Sequence, residues 1–148
     1  MYMKDFLKET ILEAGELAKD YFEKGVSFEV KSHLADLLTE ADIKTSEFLV
    51  NAIHKEYPDH GITSEELEES INPGAEYEWV IDPIDGTRNF AVGIPMWCII
   101  IAFVQNGETI LGAVYNPVGN QLFFAEYGHG ATVNGMPIKI GEKNDFDM

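Results

Sequence analysis

Two aspartates three positions apart, Asp82 and Asp85, close an apolar run and stand directly before Gly86 and Thr87, in the stretch EYEWVIDPIDGTRNF from Glu76 to Phe90. Carboxylates at that spacing could hold a hard divalent cation. A strand alone would send the two side chains to opposite faces, whereas a turn begun by Pro83 brings both to one point. Magnesium takes oxygen ligands in near-octahedral geometry, commonly one or two carboxylates with waters and phosphate oxygens. Asp82, Asp85 and the carbonyl of Ile84 offer three such oxygens. Gly86 permits a sharp backbone turn beside a ligand, and if TRNF opens a helical turn, its free N–H groups make an anion site next to the cation. The plain alternative for D-P-x-D-G is a surface turn. Trp79, Val80 and Ile81 immediately before it anchor the turn in a core and favour the site.

The elements that must place these groups follow from periodicity. From Lys4 to Phe22, Leu7, Ile11, Ala14, Leu17, Ala18 and Tyr21 keep helical spacing with charges between them, which predicts an amphipathic helix. FEVKS, from Phe28 to Ser32, reads as a short strand, followed by a polar turn around HLAD. A second helix is expected over Thr39 to Glu56, with Ile43, Phe48, Leu49, Ala52 and Ile53 buried, a Thr39/Asp42 capping box at its start and YPDHG stopping it. After Gly61 the texture changes to strands. GITS leads into an acidic loop from Glu65 to Glu78, and EWVID, MWCIIIAFV, TILGAVYN and QLFFAEY follow, separated by the hairpin-type turns QNGE and NPVGN. GHGATVNGMPIKI adds short extended pieces bent at Gly128, Gly130 and Gly135. Two helices followed by a mostly antiparallel meander make an α+β domain.

Composition narrows the partners. The 148 residues fit one domain, and 45% apolar with 24% charged residues is the balance of a soluble globular chain. A net charge of −16 repels a nucleic-acid backbone or an anionic membrane, so neither is expected as a partner. An anionic small substrate is compatible with such acidity when a metal ion neutralises its own ligands. MYMKDFLKET carries charges through its apolar residues and no window has the ~18 apolar residues of a spanning helix. The expected location is cytoplasmic. Cys98, the single cysteine, lies in WCIIIAF and reads as a buried, inert thiol. His33, His54, His60 and His129 lack metal spacing and read as loop or surface residues. Trp97 and Phe103 alternate into a sheet core, with Tyr115, Phe123 and Phe124 as packing.

WVIDPIDGTRNF resembles the inositol monophosphatase family of magnesium-dependent, lithium-sensitive phosphatases. KSHLADLLTEAD at Lys31 to Asp42, SEE at Ser64 to Glu66 and GATVNGMPIKI at Gly130 to Ile140 match in the same order, so the resemblance covers nearly the whole chain. It implies that Glu65, Asp82 and the Ile84 carbonyl hold a first metal, and that Asp82 and Asp85 share a second. Bridging by Asp82 fits two-metal chemistry, with one ion generating the nucleophile and the other stabilising the leaving oxygen. It further implies that Thr87, hydrogen-bonded to Asp42, positions and deprotonates the attacking water, with Glu65 in the same catalytic set. Gly86 and Thr87 amides would hold the substrate phosphate, Glu66 would stand behind the ligands, and Lys31 would lie near the metals. The implied cofactor is Mg²⁺, with Ca²⁺ or Mn²⁺ able to substitute, and the implied partner is a small phosphorylated substrate.

Inositol monophosphate or a related sugar phosphate leads, but bisphosphate nucleotidases, fructose-1,6-bisphosphatases and histidinol phosphatases share DPIDGT, so the substrate stays open. The implied fold is the first half of a layered αβαβα sugar-phosphatase, with residues 1–148 as its N-terminal α+β domain. Two departures matter. Ser64 stands where the family usually has glycine, and these residues are expected to lack the family's C-terminal domain, which the resemblance implies adds a third aspartate and most sugar contacts. A weakened second metal site, an apolar face where that domain packs, and self-association as a dimer are therefore expected. The competing reading is a truncated, non-catalytic metal-binding or dimer-forming domain.

Overall fold

The computed structural model of the chain describes residues 2–27 and 34–139, with the side chains of residues 2–25 and 40–139. Helix α1 spans Met3–Ser27, and the Tyr2 carbonyl accepts from the N–H groups of Asp5 and Phe6 at its start. Its inward stripe is Phe6, Leu7, Ile11, Ala14, Ala18 and Phe22, all buried. Gly15 lies on the same side because the ring of Tyr115 occupies the space that a Cβ would need. Helix α2 spans Leu34–Glu56 and packs beside α1 on the same face of one sheet.

That sheet has seven strands in chain order: β1 (Gly61–Ser64), β2 (Tyr77–Asp85), β3 (Cys98–Gln105), β4 (Glu108–Asn116), β5 (Gln121–Glu126), β6 (Gly130–Val133) and β7 (Met136–Ile138). Among the described residues only the β1–β2 pair is parallel, with Ile62 opposite Trp79; each later pair is antiparallel. The α+β expectation holds: two N-terminal helices pack on a mostly antiparallel sheet. Asn106–Gly107 and Asn134–Gly135 both have positive φ, as the two-residue turns of tight hairpins require.

Alternation along β3 buries Ile99, Ile101 and Phe103 against the helices, together with Trp97 just before the strand. The opposite face is open. Val80 is 42% and Phe123 39% exposed there, and Ile100, Ala102 and Val114 are only partly covered. The residues on this face are apolar. Among the described residues no helix is long and apolar enough to cross a membrane.

Several sequence expectations need correction. Helix α2 begins at Leu34, so Leu34 to Asp36 of the HLAD segment are helical rather than a turn, and Thr39 lies inside the helix rather than at its start. LADLLTEAD has no Gly or Pro and is rich in helix formers, which lets the helix start early. Ile43, expected in the buried stripe, is 41% exposed, because the inward side of α2 carries Asp42, Thr45, Ser46, Leu49 and Ile53. The polar loop ends earlier than Glu78, since β2 starts at Tyr77. The strand read over Phe28 to Ser32 falls outside the described residues, as do Lys31 and His33.

Candidate active site

Four pieces of chain converge at one end of β1 and β2. The strand β1 ends at Ser64, and a turn closed by the Leu67 N–H to the Ser64 carbonyl (3.1 Å) presents Glu65 and Glu66 to solvent. On β2, Pro83 does not begin a turn. The strand runs on to Asp85, and the pairing with β3 slips between Asp82 and Asp85. Proline cannot donate to the ladder, so in a strand flanked by two others it belongs at such an irregularity. The slip achieves what the expected turn would have done: it breaks strict alternation between the two aspartates. The side chains of Pro83 and Ile84 are buried beneath the irregularity.

Gly86 follows with φ 89° and ψ 36°, a left-handed conformation that glycine adopts freely. A Cβ there would stand 3.0 Å from the Met96 carbonyl oxygen and 3.2 Å from the Trp97 Cα. Helix α3 (Thr87–Ala91) opens immediately afterwards, as the sequence suggested for TRNF, and Thr87 is exposed at its first position. Asn89 Nδ2 donates to the Met96 carbonyl at 2.7 Å, tying the end of this turn to the approach of β3.

Asp42 reaches the same place from α2 and is 92% buried, with 8% of its surface exposed. Burial first, then the negative charges of Glu66, Asp82 and Glu65, push its carboxyl up to about 7. Asp82 is pushed up to about 6 by burial and by Glu65, Asp85 and Glu66, against a backbone N–H donated by Ile84. One Asp82 oxygen, Oδ1, is buried without a hydrogen-bond partner. A buried carboxylate oxygen with no donor, among four other carboxylates, is a position where a cation would satisfy both deficits. The oxygen-only donor set fits a hard divalent ion. Among the described residues no three His, Cys, Asp or Glu side chains converge closely enough to form a ready-made cage.

The structure thus brings Asp42, Glu65, Glu66, Asp82 and Asp85 into one field, with Gly86 and Thr87 next in the chain. No hydrogen bond joins Thr87 to Asp42 among the described residues. Some participants were not legible in the sequence. Ser46 on α2 shares a buried 3.0 Å hydrogen bond with Ser64, the residue that departs from the usual glycine. Cys98 is half-buried rather than buried, and its Sγ donates to Asp85 Oδ2 over 3.7 Å. Burial, then Asp85, hold the thiol protonated, up at about 11. Cys98 pairs with Asp85 across the sheet and faces away from Ile99, a consequence of alternation that the unbroken apolar run concealed. With Asn89, Trp97 and Asn116 it borders a cleft of about 340 Å³ beside Asp85 and Gly86.

Comparison with known proteins agrees with this fold. The family model described as "Inositol monophosphatase family" matches residues 2–148. The fructose-1,6-bisphosphatase/inositol-1-monophosphatase of Thermotoga maritima is 37% identical over 143 residues, covering 97% of this chain and 55% of that protein. The Nus factor SuhB of Pasteurella multocida is 40% identical over 111 residues, 75% of this chain and 42% of its own. In structure, the extragenic suppressor protein SuhB of Bartonella henselae superposes with a TM-score of 0.84 at 28% identity, over 97% of this chain and 56% of that one. The chain therefore spans about half the length of the relatives it matches.

Proposed function

Since the chain belongs to the inositol monophosphatase family, we propose that its acidic site serves the Mg²⁺-dependent hydrolysis of a small phosphate monoester, inositol monophosphate or a related sugar phosphate. The unpartnered Asp82 Oδ1, in the field of the carboxylates of Glu65, Asp85, Glu66 and Asp42, carries this reading. Glu65, Asp82, Asp85 and the Ile84 carbonyl would hold the ions, with Ca²⁺ or Mn²⁺ able to stand in. Bound there, a divalent ion would neutralise the carboxylates, activate water and draw charge from the phosphate.

The chain's own groups have distinct tasks. Burial and the neighbouring carboxylates raise the carboxyl of Asp42, and as a carboxylate it would accept a proton from Thr87 or from a water beside it. The backbone N–H groups of Gly86, in its left-handed turn, and of Thr87, which opens α3, would donate to a substrate phosphate. Glu66 stands behind the ligands and adds negative charge without being one of them. Lys31 would supply a cation near the site.

Because the chain spans about half of its relatives, turnover by these residues alone is part of the proposal. The second reading is a metal-binding or dimer-forming domain that does not turn over. The open face of the sheet at Val80 and Phe123 favours self-association under either reading. Phosphate release from inositol 1-phosphate, measured with and without Mg²⁺ and against Asp82→Asn, separates the two. Turnover that needs Mg²⁺ and is abolished by Asp82→Asn sinks the non-catalytic reading. Metal binding without turnover sinks the self-sufficient enzyme.

A further inference from the structure

Away from the carboxylates, the other ends of β1 and β2 are joined by a contact between side chains. Trp79 Nε1 donates to His60 Nδ1 at 3.0 Å. His60 immediately precedes β1, and Trp79, fully buried, is the third residue of β2, opposite Ile62. The imidazole is fixed on its other sides by rings: Tyr57 stacks on it at 4.8 Å, and Tyr77 and Phe103 lie at 5.2 and 5.9 Å. Asn72 holds the backbone there, donating from Nδ2 to the carbonyls of Pro58 and His60 at 3.0 and 3.1 Å.

Four residues after His60, β1 ends at Ser64 and delivers Glu65; three residues after Trp79, β2 reaches Asp82. A parallel pair transmits a slip at one end to the other, because the strands are nearly inextensible and their pairing register is discrete. We propose that His60 is a positioning residue for the acidic site: its hydrogen bond with Trp79 sets β1 against β2 and thereby fixes Glu65 relative to Asp82. The inference rests on the metal-binding reading above and adds a residue that touches none of the ligands.

The bond demands a particular chemical form. Nδ1 accepts from an indole N–H, which is only a donor, so Nδ1 must carry no proton. Burial holds the imidazole below its ordinary pKa, with Asp59 pulling the other way. The remaining titratable groups against the ring are the Tyr57 and Tyr77 phenols, neutral near pH 7. Acid that protonates Nδ1 removes the acceptor.

The test is Mn²⁺ binding by the protein, read from the electron paramagnetic resonance of the free ion, for the parent, His60→Phe, His60→Asn and Asp82→Asn. Phenylalanine keeps the stack and loses the acceptor, whereas asparagine places an acceptor oxygen near the Nδ1 position and loses the ring. His60→Phe is expected to weaken Mn²⁺ about tenfold and His60→Asn to restore affinity to within about twofold, the scale on which partners of metal ligands act. Parent-like affinity in His60→Phe, with Asp82→Asn losing the ion, overturns the positioning role alone. Parent-like affinity in Asp82→Asn overturns the metal reading and this inference with it. Should His60→Phe not fold, His60→Asn decides: affinity near the parent supports the hydrogen bond, and a tenfold loss in a folded protein overturns it. In a Trp97→Phe background, Trp79 emission should titrate with a midpoint below 6.5 and cease to do so in His60→Asn; an unchanged titration in that variant also overturns the inference.

Discussion

Ser46 on α2 and Ser64 at the end of β1 share a buried hydrogen bond of 3.0 Å, which pins the helix carrying Asp42 to the strand that delivers Glu65. Asp42 lies one turn before Ser46 on the same inward face. Ser64→Gly, which introduces the residue usual in the family, deprives the Ser46 hydroxyl of this partner at a cost of about 1–3 kcal/mol. Combining it with Ser46→Ala should recover part of that loss. Urea unfolding of the single and double variants checks both statements; additive losses would mean that the two hydroxyls act independently.

Acidity should stabilise the metal-free fold locally and weaken its hold on metal. Asp42 and Asp82 have carboxyls raised to about 7 and about 6, against ordinary values of 3.8. Between those values the native state binds more protons than the unfolded chain, so the contribution of these two groups to stability falls as pH rises. Their penalty is relieved as pH drops through 7 and then 6 toward 4. Mg²⁺ needs the deprotonated carboxylates, and its affinity should decline over the same window. Thermal melts in chelator and with excess Mg²⁺, from pH 5 to 8, should show the stabilisation by Mg²⁺ growing with pH.

Asp82→Asn should separate stability from function. It removes one charge from a crowded field and so favours the metal-free fold, while depriving the site of the carboxylate at its centre. A melting temperature equal to or above the parent's in chelator, with no further rise on adding Mg²⁺, is the expected pair of results.

Gly86→Ala should harm both. The left-handed φ of 89° costs a residue with a Cβ about 1–2 kcal/mol, before any contact with the Met96 carbonyl is counted. Relief of the contact would move the turn that leads into Thr87. Denaturant unfolding measures the first effect, and phosphate release the second. A variant as stable as the parent would show that the turn has room to relax.

Cys98 provides a reporter for Asp85. Burial raises its thiol first and the adjacent carboxylate second, so Asp85→Asn should lower the pKa and speed alkylation by iodoacetamide at pH 8. Mass spectrometry of the modified chain follows the rate. No acceleration would mean that burial alone controls the thiol.

The elements that hold the site were legible where apolar periodicity is clean. Leu7, Ile11, Ala14 and Ala18 of the α1 stripe and the Asn106–Gly107 turn emerged from residue types that report directly on packing, whereas in the unbroken apolar run of β3 Phe103 stood out and the outward Cys98 did not. Helix α2 was harder, because its inward face uses Asp42, Thr45 and Ser46, and an apolar count assigned Ile43 to the core instead. Pro83 was read as a turn residue, and only the pairing of β2 with β3 reveals that it occupies a slip within a continuing strand. The carboxylates of DPIDGT announced themselves by spacing. His60, Ser46 and Cys98 did not, since their roles depend on partners 19, 18 and 13 positions away in sequence.

In the sheet, spatial order repeats chain order from β1 to β7. A nascent chain can therefore fold in the direction in which it is made. Asp42, Glu65, Asp82, Asp85 and Thr87 have all been synthesised before β3 begins at Cys98, and β3 then covers Trp79 with Phe103. Each later hairpin from β3 to β7 extends an edge that already exists. An interrupted synthesis would leave a shorter sheet with its acidic end assembled, in place of a chain searching for missing neighbours.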